Sequence, residues 1–276
     1  MTDDATTTYE GIQSLLDIMR RLRDPDSGCP WDLKQNFHTI VPFTIEETYE
    51  LADAIAAEDF AQIRDELGDV LFQVVFYAQI ASEQALFTFE DVVDGIVEKL
   101  RRRHPHVFAS TGGQSLSAGE VKERWEQIKG EERQQKNHKG TLDDIPKALP
   151  ALSRSQKLQK RAARVGFDWS ELDAVRGKVD EELGELAEAI SEGESTAIES
   201  EVGDIFLAMV NLARHLGVDA EAALRNANRR FEKRFRLMET AADREGSQLS
   251  EESLERLEER WQAAKHELAD RGSVTD

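Results

Sequence analysis

The feature that most restricts the fold of this chain is an internal repeat. The segment IEETYELADAI, residues 45–55, overlays DEELGELAEAI, residues 180–190, at a shift of 135 positions. The same shift places DELGDVLF, residues 65–72, on SEVGDIFL, residues 200–207. A chain that carries the same segments twice in the same order is expected to fold as two copies of one structural unit.

Both copies have the apolar periodicity of helices. Apolar residues recur three and four positions apart, as in VDEELGELAEAI, residues 179–190, and the alternation typical of strands is missing. Polar stretches with Gly or Pro interrupt this pattern at 23–32, 110–119 and 136–150. We therefore predict an all-α protein with two tandem helical modules, whose boundary falls in the region 110–150.

A second alignment extends the repeat beyond the acidic segments. A shift of 131 positions brings VEKLRRR onto NRRFEKR, so that Lys99 and Arg103 correspond to Arg230 and Arg234. Two basic residues four positions apart lie on one face of a helix and suit an anionic ligand. The smaller shift predicts a connecting loop that is four residues shorter in the second copy.

Acidic residues strongly outnumber basic ones. The 276 residues include 35 Lys and Arg and 55 Asp and Glu, which gives a formal net charge of −20. Such a surface repels the phosphate backbone of nucleic acid, so we expect no nucleic-acid partner, although a local basic pocket for a small phosphate compound remains compatible with it. With 39% hydrophobic residues, the chain has enough apolar side chains for a buried core.

Three features bear on location. The longest apolar run, residues 70–81, contains Gln73 and Gln79 and is shorter than the ~20 residues of a transmembrane helix, so no membrane span is expected. The first residues, MTDDATTTYEGIQ, lack the basic start and apolar segment of a secretory signal. The single cysteine, Cys29, forms no intramolecular disulfide, which fits a cytoplasmic protein.

Five acidic positions repeat in register, and they carry the chemical prediction. In the first copy they are Glu46, Glu47, Glu50, Glu66 and Asp69, and in the second copy Glu181, Glu182, Glu185, Glu201 and Asp204. At about 100° per residue, the first three acids of each set share one sector of a helix. A short turn at 191–195 lets the next helix return antiparallel, so the acids meet in one pocket. Carboxylates that close need cations, and oxygen ligands without thiolates suit Mg²⁺ or Mn²⁺.

Acidic residues at these positions also have interpretations that involve no Mg²⁺. Acidic helix faces are commonly only solvated, and Thr44 with Glu47 can form a helix-capping box. Repetition of all five acids argues against that interpretation. A di-iron carboxylate site requires Glu-x-x-His pairs, and no histidine here has a glutamate three positions before it. The glycine-rich phosphate loops of the common nucleotide-binding folds are also missing from the sequence.

The pattern Glu-Glu-x-x-Glu followed by Glu-x-x-Asp resembles the all-α nucleoside triphosphate pyrophosphohydrolases, and its duplication is similar to the MazG family. Further segments that resemble MazG motifs are GCPWDLKQ (28–35), RRRHPHVF (101–108), KVDEELGEL (178–186) and NRRFEKRF (228–235). The resemblance implies four-helix modules that form homodimers. It also implies Mg²⁺-dependent hydrolysis of nucleoside triphosphates to the monophosphate and pyrophosphate, with broad tolerance of the base.

The expected organisation is then an N-terminal MazG-like module at 1–110, a linker with a short helix at 111–150 and a C-terminal module at 151–276. The resemblance implies that the C-terminal copy is the active one. Its expected metal ligands are Glu182, Glu185, Glu201 and Asp204, with Glu181 as a further ligand or the residue that activates water. Glu181 and Glu201 are both candidates for the general base.

The resemblance also implies the residues that bind the nucleotide: Lys178, Arg230 and Arg234 for the phosphates, and Trp261 for a further contact. At Arg230 the chain departs from the family, which usually has lysine there, and the planar guanidinium donates hydrogen bonds in a different geometry. The N-terminal copy retains an equivalent set, namely Glu46, Glu47, Glu50, Glu66, Asp69, Lys99 and Arg103.

Two alternatives remain open from the sequence. One is a noncatalytic helical protein that binds nucleotides or nucleotide alarmones and regulates a partner. The other is a narrower pyrophosphohydrolase for dUTP or modified deoxynucleotides. No segment of the sequence identifies the preferred base.

Overall fold

The computed structural model describes residues 11–108 and 140–272, together with isolated positions from 117 to 130. The chain separates into two compact units, 1–130 and 131–276, called here the N-terminal and C-terminal units. The described residues form helices and turns and no strand, which confirms the all-α class. Described positions from 119 to 130 are helical, whereas 131–139 of the predicted linker lie outside the described residues.

The N-terminal unit is organised around one pair of long helices. Its helices are α1 (Ile12–Leu22), α2 (Pro30–Leu33), α3 (Phe37–Ala57), α4 (Phe60–Glu83), α5 (Phe89–Arg103) and α6 (Pro105–Phe108). Helices α3 and α4 pack along each other, α1 packs against α4, and α5 contacts α4. Their core contains Met19, Ile40, Val75, Phe76 and Ile80. Burial of these side chains is the main stabilising term that holds the helix pair in place.

Helix α3 begins earlier than a capping box at Thr44 would require. The Asn36 Oδ1 accepts hydrogen bonds from the backbone N–H groups of His38 and Thr39, and the Thr39 hydroxyl accepts one from the Asn36 N–H. Asn36 is therefore the N-cap. Thr44 lies inside the helix, where its hydroxyl donates to the Ile40 carbonyl. The capping interpretation of Thr44 with Glu47 is wrong.

The C-terminal unit repeats this plan and adds a second helix pair. Its elements are α7 (Ala151–Ala163), α8 (Leu172–Glu192), α9 (Ser195–His215), α10 (Ala220–Glu245), a 3₁₀ turn (Leu249–Glu251) and α11 (Leu254–Gly272). Helices α8 and α9 pack along each other, α7 packs against α9, and α10 packs against α11. The α8–α9 pair thus corresponds to α3–α4, and α7 to α1.

Helix boundaries confirm the repeat and locate its length difference. Helices α3 and α8 both have 21 residues and are related by the shift of 135 at each end. The turns that follow use a left-handed residue at the equivalent positions Glu58 (φ 56°) and Gly193 (φ 75°). Helix α4 has 24 residues and α9 has 21, while the next connections are 84–88 and 216–219. Three of the four missing residues therefore come from the helix and only one from the loop, contrary to the predicted short loop.

A buried ion-pair network fixes the connection between α10 and α11. The side chain of Arg260 is 5% exposed, and its guanidinium donates to both carboxylate oxygens of Glu252 at 2.6 Å and to Glu245 Oε2 at 2.7 Å. The Ser247 hydroxyl bonds both Glu252 and Arg260. Hydrogen bonds from Arg260 are the main cause that lowers the pKa of Glu252 to about 2.

This network predicts a pH-dependent contribution to stability. The pKa of Glu252 is lower in the folded chain than its ordinary value of 4.5, so the pair stabilises the fold above that pH and loses its effect as the pH falls towards 2. We expect Glu252→Gln to lower the melting temperature at pH 6, with a difference from the wild type that shrinks between pH 4.5 and 2. Glu259→Gln, in an exposed pair with Arg256, is the control and should change little. A difference that does not depend on pH would contradict the assignment.

Candidate active site

Each unit brings three carboxylates together across its long helix pair. The N-terminal acid cluster consists of Glu47, Glu66 and Asp69, and the C-terminal acid cluster of Glu182, Glu201 and Asp204. Within each cluster one carboxylate oxygen from every residue lies within 4.8 Å of the others. The first residue comes from α3 or α8, and the other two lie one helical turn apart on α4 or α9. The tight turn between the helices is what places them opposite one another.

The C-terminal acid cluster is partly withdrawn from water. Glu182 is only 7% exposed, and Glu201 and Asp204 are half-buried. Carboxylates in such a position lose hydration and repel one another, which is unfavourable unless positive charge lies nearby. Three oxygen donors in this arrangement fit a hard divalent cation such as Mg²⁺ or Mn²⁺.

In the N-terminal acid cluster the negative charges act on one another. Burial is the largest cause that raises the pKa of Glu47, and repulsion from Asp69, Glu50 and Glu66 adds to it. Burial likewise raises the pKa of Glu50, again with a contribution from Glu66. Glu46 adds a smaller repulsion to both groups. A cation would relieve this repulsion.

In the C-terminal unit a lysine supplies part of the compensation. The Lys178 Nζ lies 2.8 Å from Glu181 Oε1 and 2.9 Å from Glu182 Oε1. The hydrogen bonds to Glu181 and then to Glu182 are the main causes that raise the pKa of Lys178. The equivalent position in the first copy is Phe43. The two acid clusters therefore differ in charge, which the shift of 135 reveals once the residues around the acids are compared.

The other two predicted acids occupy different places. Burial raises the pKa of Glu185, and a hydrogen bond with Glu182 raises it further, so Glu185 adjoins the C-terminal acid cluster through Glu182. Glu181 is exposed and its hydrogen-bond partner is Lys178. It lies outside the group of three oxygens that approach one another.

Three predicted nucleotide-binding residues, Arg230, Arg234 and Trp261, lie on the helix pair α10–α11. The Arg234 guanidinium stacks over the Trp261 ring at 5.4 Å, and the Trp261 ring lies 5.2 Å from that of Phe231. Arg230 is exposed on α10. Among the described residues, no hydrogen bond, ion pair or ring contact joins these side chains to the C-terminal acid cluster. In the first copy, Lys99 and Arg103 are half-buried on α5.

A cavity beside the C-terminal acid cluster was not predicted from the sequence. It encloses about 130 Å³ and reaches Lys178, Glu182 and Asp204. Its walls include two aromatic rings from the segment before α8, Phe167 and Trp169. We refer to it as the C-terminal cavity. Its position shows that a flat group could lie next to the site where the acids would hold a cation.

A polar network forms one wall of the C-terminal cavity. Arg214 donates from Nε and Nη2 to Asn211 Oδ1, at 3.0 and 2.7 Å, and Nη2 also bonds the Asp168 carboxylate. The His215 Nε2 lies 3.0 Å from the same Asp168 oxygen. Burial alone would raise the pKa of Asp168, but hydrogen bonds from Arg214 and His215 lower it. The signal for this network was present in the sequence as DW before α8 and NLARH at the end of α9.

The geometry defines a duplicated helical protein in which two carboxylate clusters could hold a metal ion, and comparison with known proteins identifies its family. The model of the MazG nucleotide pyrophosphohydrolase domain matches residues 35–108 and 172–236. The chain is 53% identical to the nucleoside triphosphate pyrophosphohydrolase of Escherichia coli K12, over 94% of this chain and 98% of that protein. It is 44% identical to a Thermotoga maritima protein named nucleoside triphosphate pyrophosphohydrolase/pyrophosphatase MazG, over 92% and 95%.

The chain therefore belongs to the MazG family of nucleotide pyrophosphohydrolases and is an enzyme of that class. Membership favours the enzymatic interpretation over the noncatalytic regulatory protein. None of the helices among the described residues combines the length and hydrophobicity of a membrane span.

The contrast between Lys178 and Phe43 predicts different metal affinities. The Lys178 ammonium and a divalent cation would compete for Glu182, so Lys178→Met should tighten Mn²⁺ binding to the C-terminal acid cluster several-fold in the absence of nucleotide. Phe43→Lys should weaken Mn²⁺ binding to the N-terminal acid cluster for the same reason.

Isothermal titration calorimetry measures both effects. Each cluster is titrated by itself, with the other disabled by Glu47→Gln or Glu182→Gln. Unchanged affinity in both variants would show that the ammonium does not compete with the ion.

Proposed function

We propose that this enzyme hydrolyses nucleoside triphosphates to the nucleoside monophosphate and pyrophosphate with Mg²⁺ or Mn²⁺, and that the C-terminal unit carries the activity. One observation carries the proposal. Three carboxylates converge in the C-terminal acid cluster, and a lysine and a cavity adjoin them. A polyphosphate, a cation and a nucleoside therefore have adjacent places within a single unit.

Glu182, Glu201 and Asp204 would hold the cation, with Glu185 next to them. Their chemistry fits, since hard divalent ions prefer several carboxylate oxygens. When bound, the ion supplies positive charge that stabilises the negative charge developing on the phosphates. The partial burial of Glu182 limits access of bulk water, which strengthens these electrostatic interactions.

Lys178 is placed to contact the phosphates. Its ammonium lies between Glu181 and Glu182, and once a cation neutralises Glu182, it can turn to a phosphate oxygen. Release of Glu181 from Lys178 would then leave a carboxylate at the edge of the site. We infer that Glu181 accepts the proton of the attacking water, because Glu201 belongs to the group that holds the cation.

Two differences between the copies support the choice of the C-terminal unit. Phe43 stands at the position of Lys178, so the first copy lacks the equivalent cation for the phosphates. Phe76, which is 1% exposed, stands at the position of Asn211. Its ring fills the core of the N-terminal unit where the C-terminal unit has a cavity wall.

The surface of the C-terminal unit bears on the assembly of the enzyme. Large apolar side chains are exposed on the outer faces of α8 and α9, including Leu183, Ile190 and Phe206, which supports a homodimer that covers them. Arg230, Arg234 and Trp261 would meet the nucleotide in that assembly. Broad tolerance of the base and housekeeping of the cytoplasmic nucleotide pool complete the proposal, and the single Cys29 is compatible with that compartment.

The proposal predicts both the product and the copy that forms it. With Mg²⁺, the wild type should release pyrophosphate and not orthophosphate from nucleoside triphosphates. Glu182→Gln or Asp204→Asn should reduce turnover to less than about 1% of wild type, because each removes a charged ligand and keeps the side-chain size. The matched variant Glu47→Gln, at the position equivalent to Glu182, should retain most activity.

A coupled pyrophosphate assay together with circular dichroism checks these outcomes. Orthophosphate as the first product would overturn the reaction. Loss of turnover in Glu47→Gln alone would transfer the activity to the N-terminal unit.

A further inference from the structure

Asn211 is the most unusual polar residue in the C-terminal cavity. Only 6% of it is exposed, yet it lines the cavity. Its Oδ1 accepts two hydrogen bonds from Arg214. Its Nδ2 has no hydrogen-bond partner among the described residues. An amide donor that faces a cavity without a protein partner is available to a ligand, so this group is expected to meet an acceptor when the cavity is filled.

Arg214 determines which end of the Asn211 amide faces the cavity. A guanidinium can only donate hydrogen bonds, so the amide oxygen must face it and the NH₂ group must point elsewhere. Asp168 binds the same Arg214 Nη2 that contacts Asn211, which holds the guanidinium in place. Asn211 therefore offers a donor of fixed orientation to whatever enters the cavity.

A second unpaired group lies in the same lining. Gln159 donates from Nε2 to the Leu207 carbonyl at 2.7 Å, which fixes its amide in the same way. Its Oε1 is buried and has no hydrogen-bond partner within the part of the chain that the structure describes. Because protein atoms enclose that oxygen, the cavity offers the unpaired donor of Asn211 together with the rings of Phe167 and Trp169.

The size of the cavity limits its occupant to one small ring system. A cavity of about 150 Å³ in another protein accepts benzene, and this one encloses about 130 Å³. A whole nucleotide is too large, so the phosphates of such a ligand would remain outside, at Lys178 and the C-terminal acid cluster. A flat heterocycle with a hydrogen-bond acceptor matches the lining.

The N-terminal copy lacks the pair that orients the donor. The equivalents of Asn211 and Arg214 are Phe76 and Gln79. Phe76 is part of the core, and Gln79 donates to Glu83 on its own helix at 2.9 Å. A repeat that needs only to fold can fill this position with an aromatic ring. Asn211 in the C-terminal copy packs less apolar surface than an aromatic ring would. Such a loss of packing is expected where a ligand binds.

We propose that the C-terminal cavity binds the nucleobase of the substrate, that Asn211 donates a hydrogen bond to the base, and that Arg214 is the positioning residue that orients Asn211. This inference rests on the proposed function. It assigns the base to Asn211 and Trp169, and not to Trp261 on the other helix pair. Since every nucleobase has a hydrogen-bond acceptor, the arrangement admits all of them and disfavours a substrate without a base.

The test compares a complete substrate with one that lacks the base. Asn211→Asp keeps the shape of the side chain and its contact with Arg214 but replaces the donor with an acceptor. We expect it to lower kcat/KM for ATP roughly tenfold, mainly through KM, because an acceptor of the base is left unpaired. Hydrolysis of ribose 5-triphosphate, which has no base, should be unchanged.

Arg214→Met should produce the same selective loss, because the Asn211 amide is then free to rotate. Gln79→Met, the matched change in the N-terminal unit, should leave both substrates unaffected. Equal losses for ATP and ribose 5-triphosphate in Asn211→Asp would mean that Asn211 only supports the fold, and the proposal would be wrong. No loss for either substrate would exclude the contact.

Binding of α,β-methylene-ATP separates this proposal from the proposed function, since the analogue is not cleaved. Calorimetry should show about tenfold weaker binding to Asn211→Asp and wild-type affinity for Gln79→Met. Quenching of tryptophan fluorescence by the analogue should be reduced more in Trp169→Phe than in Trp261→Phe, and the opposite order would overturn the assignment of the base. A wild type that binds the analogue in this way but releases no pyrophosphate from ATP would contradict the function alone.

Discussion

Mutual repulsion among three carboxylates is the constraint around which the C-terminal unit is organised. Glu182, Glu201 and Asp204 are brought within 4.8 Å of one another by two helices that a tight turn connects. Hydrophobic packing of those helices holds the acids in place despite their repulsion. Lys178 offsets part of the charge, and a divalent cation would offset the rest. The negative charge of the three carboxylates favours binding of a divalent cation, and that cation in turn attracts phosphates.

The two copies show how one scaffold can serve different purposes. Both retain the acids, the helix lengths and the left-handed residue at the turn. They differ at two positions nearby. Phe43, which is exposed, corresponds to Lys178, and the buried Phe76 corresponds to the buried Asn211. The exchange at Phe76 replaces a core ring with a polar side chain, and the exchange at Phe43 replaces an exposed ring with an ammonium beside the acids. The position that completes the core of the N-terminal unit thus lines the cavity of the C-terminal unit.

Sequence periodicity was sufficient to predict the helices, the repeat and the meeting of acids across a turn. These features depend on local spacing, and a short turn between two helices leaves few ways for them to pack. The sequence did not fix the start of α3, because both Asn36 and Thr44 can cap a helix and a capping motif does not show which of two starts the packed chain uses.

The C-terminal cavity could not be predicted for a different reason. It depends on contacts between the segment before α8, the end of α9 and helix α7, which are far apart in the sequence. Long-range packing also determines which helices meet the acids. It places Arg230, Arg234 and Trp261 on a separate helix pair. Helical spacing says which residues share a face, and it does not say which face meets which.

The most direct test of the account is the position of a bound ion. Crystals grown with Mn²⁺ and α,β-methylene-ATP can be measured for anomalous scattering from manganese. The account predicts a manganese peak bound by carboxylate oxygens of Glu182, Glu201 and Asp204. A nucleotide bound with no manganese at these three residues, or with manganese held elsewhere in the unit, would contradict it.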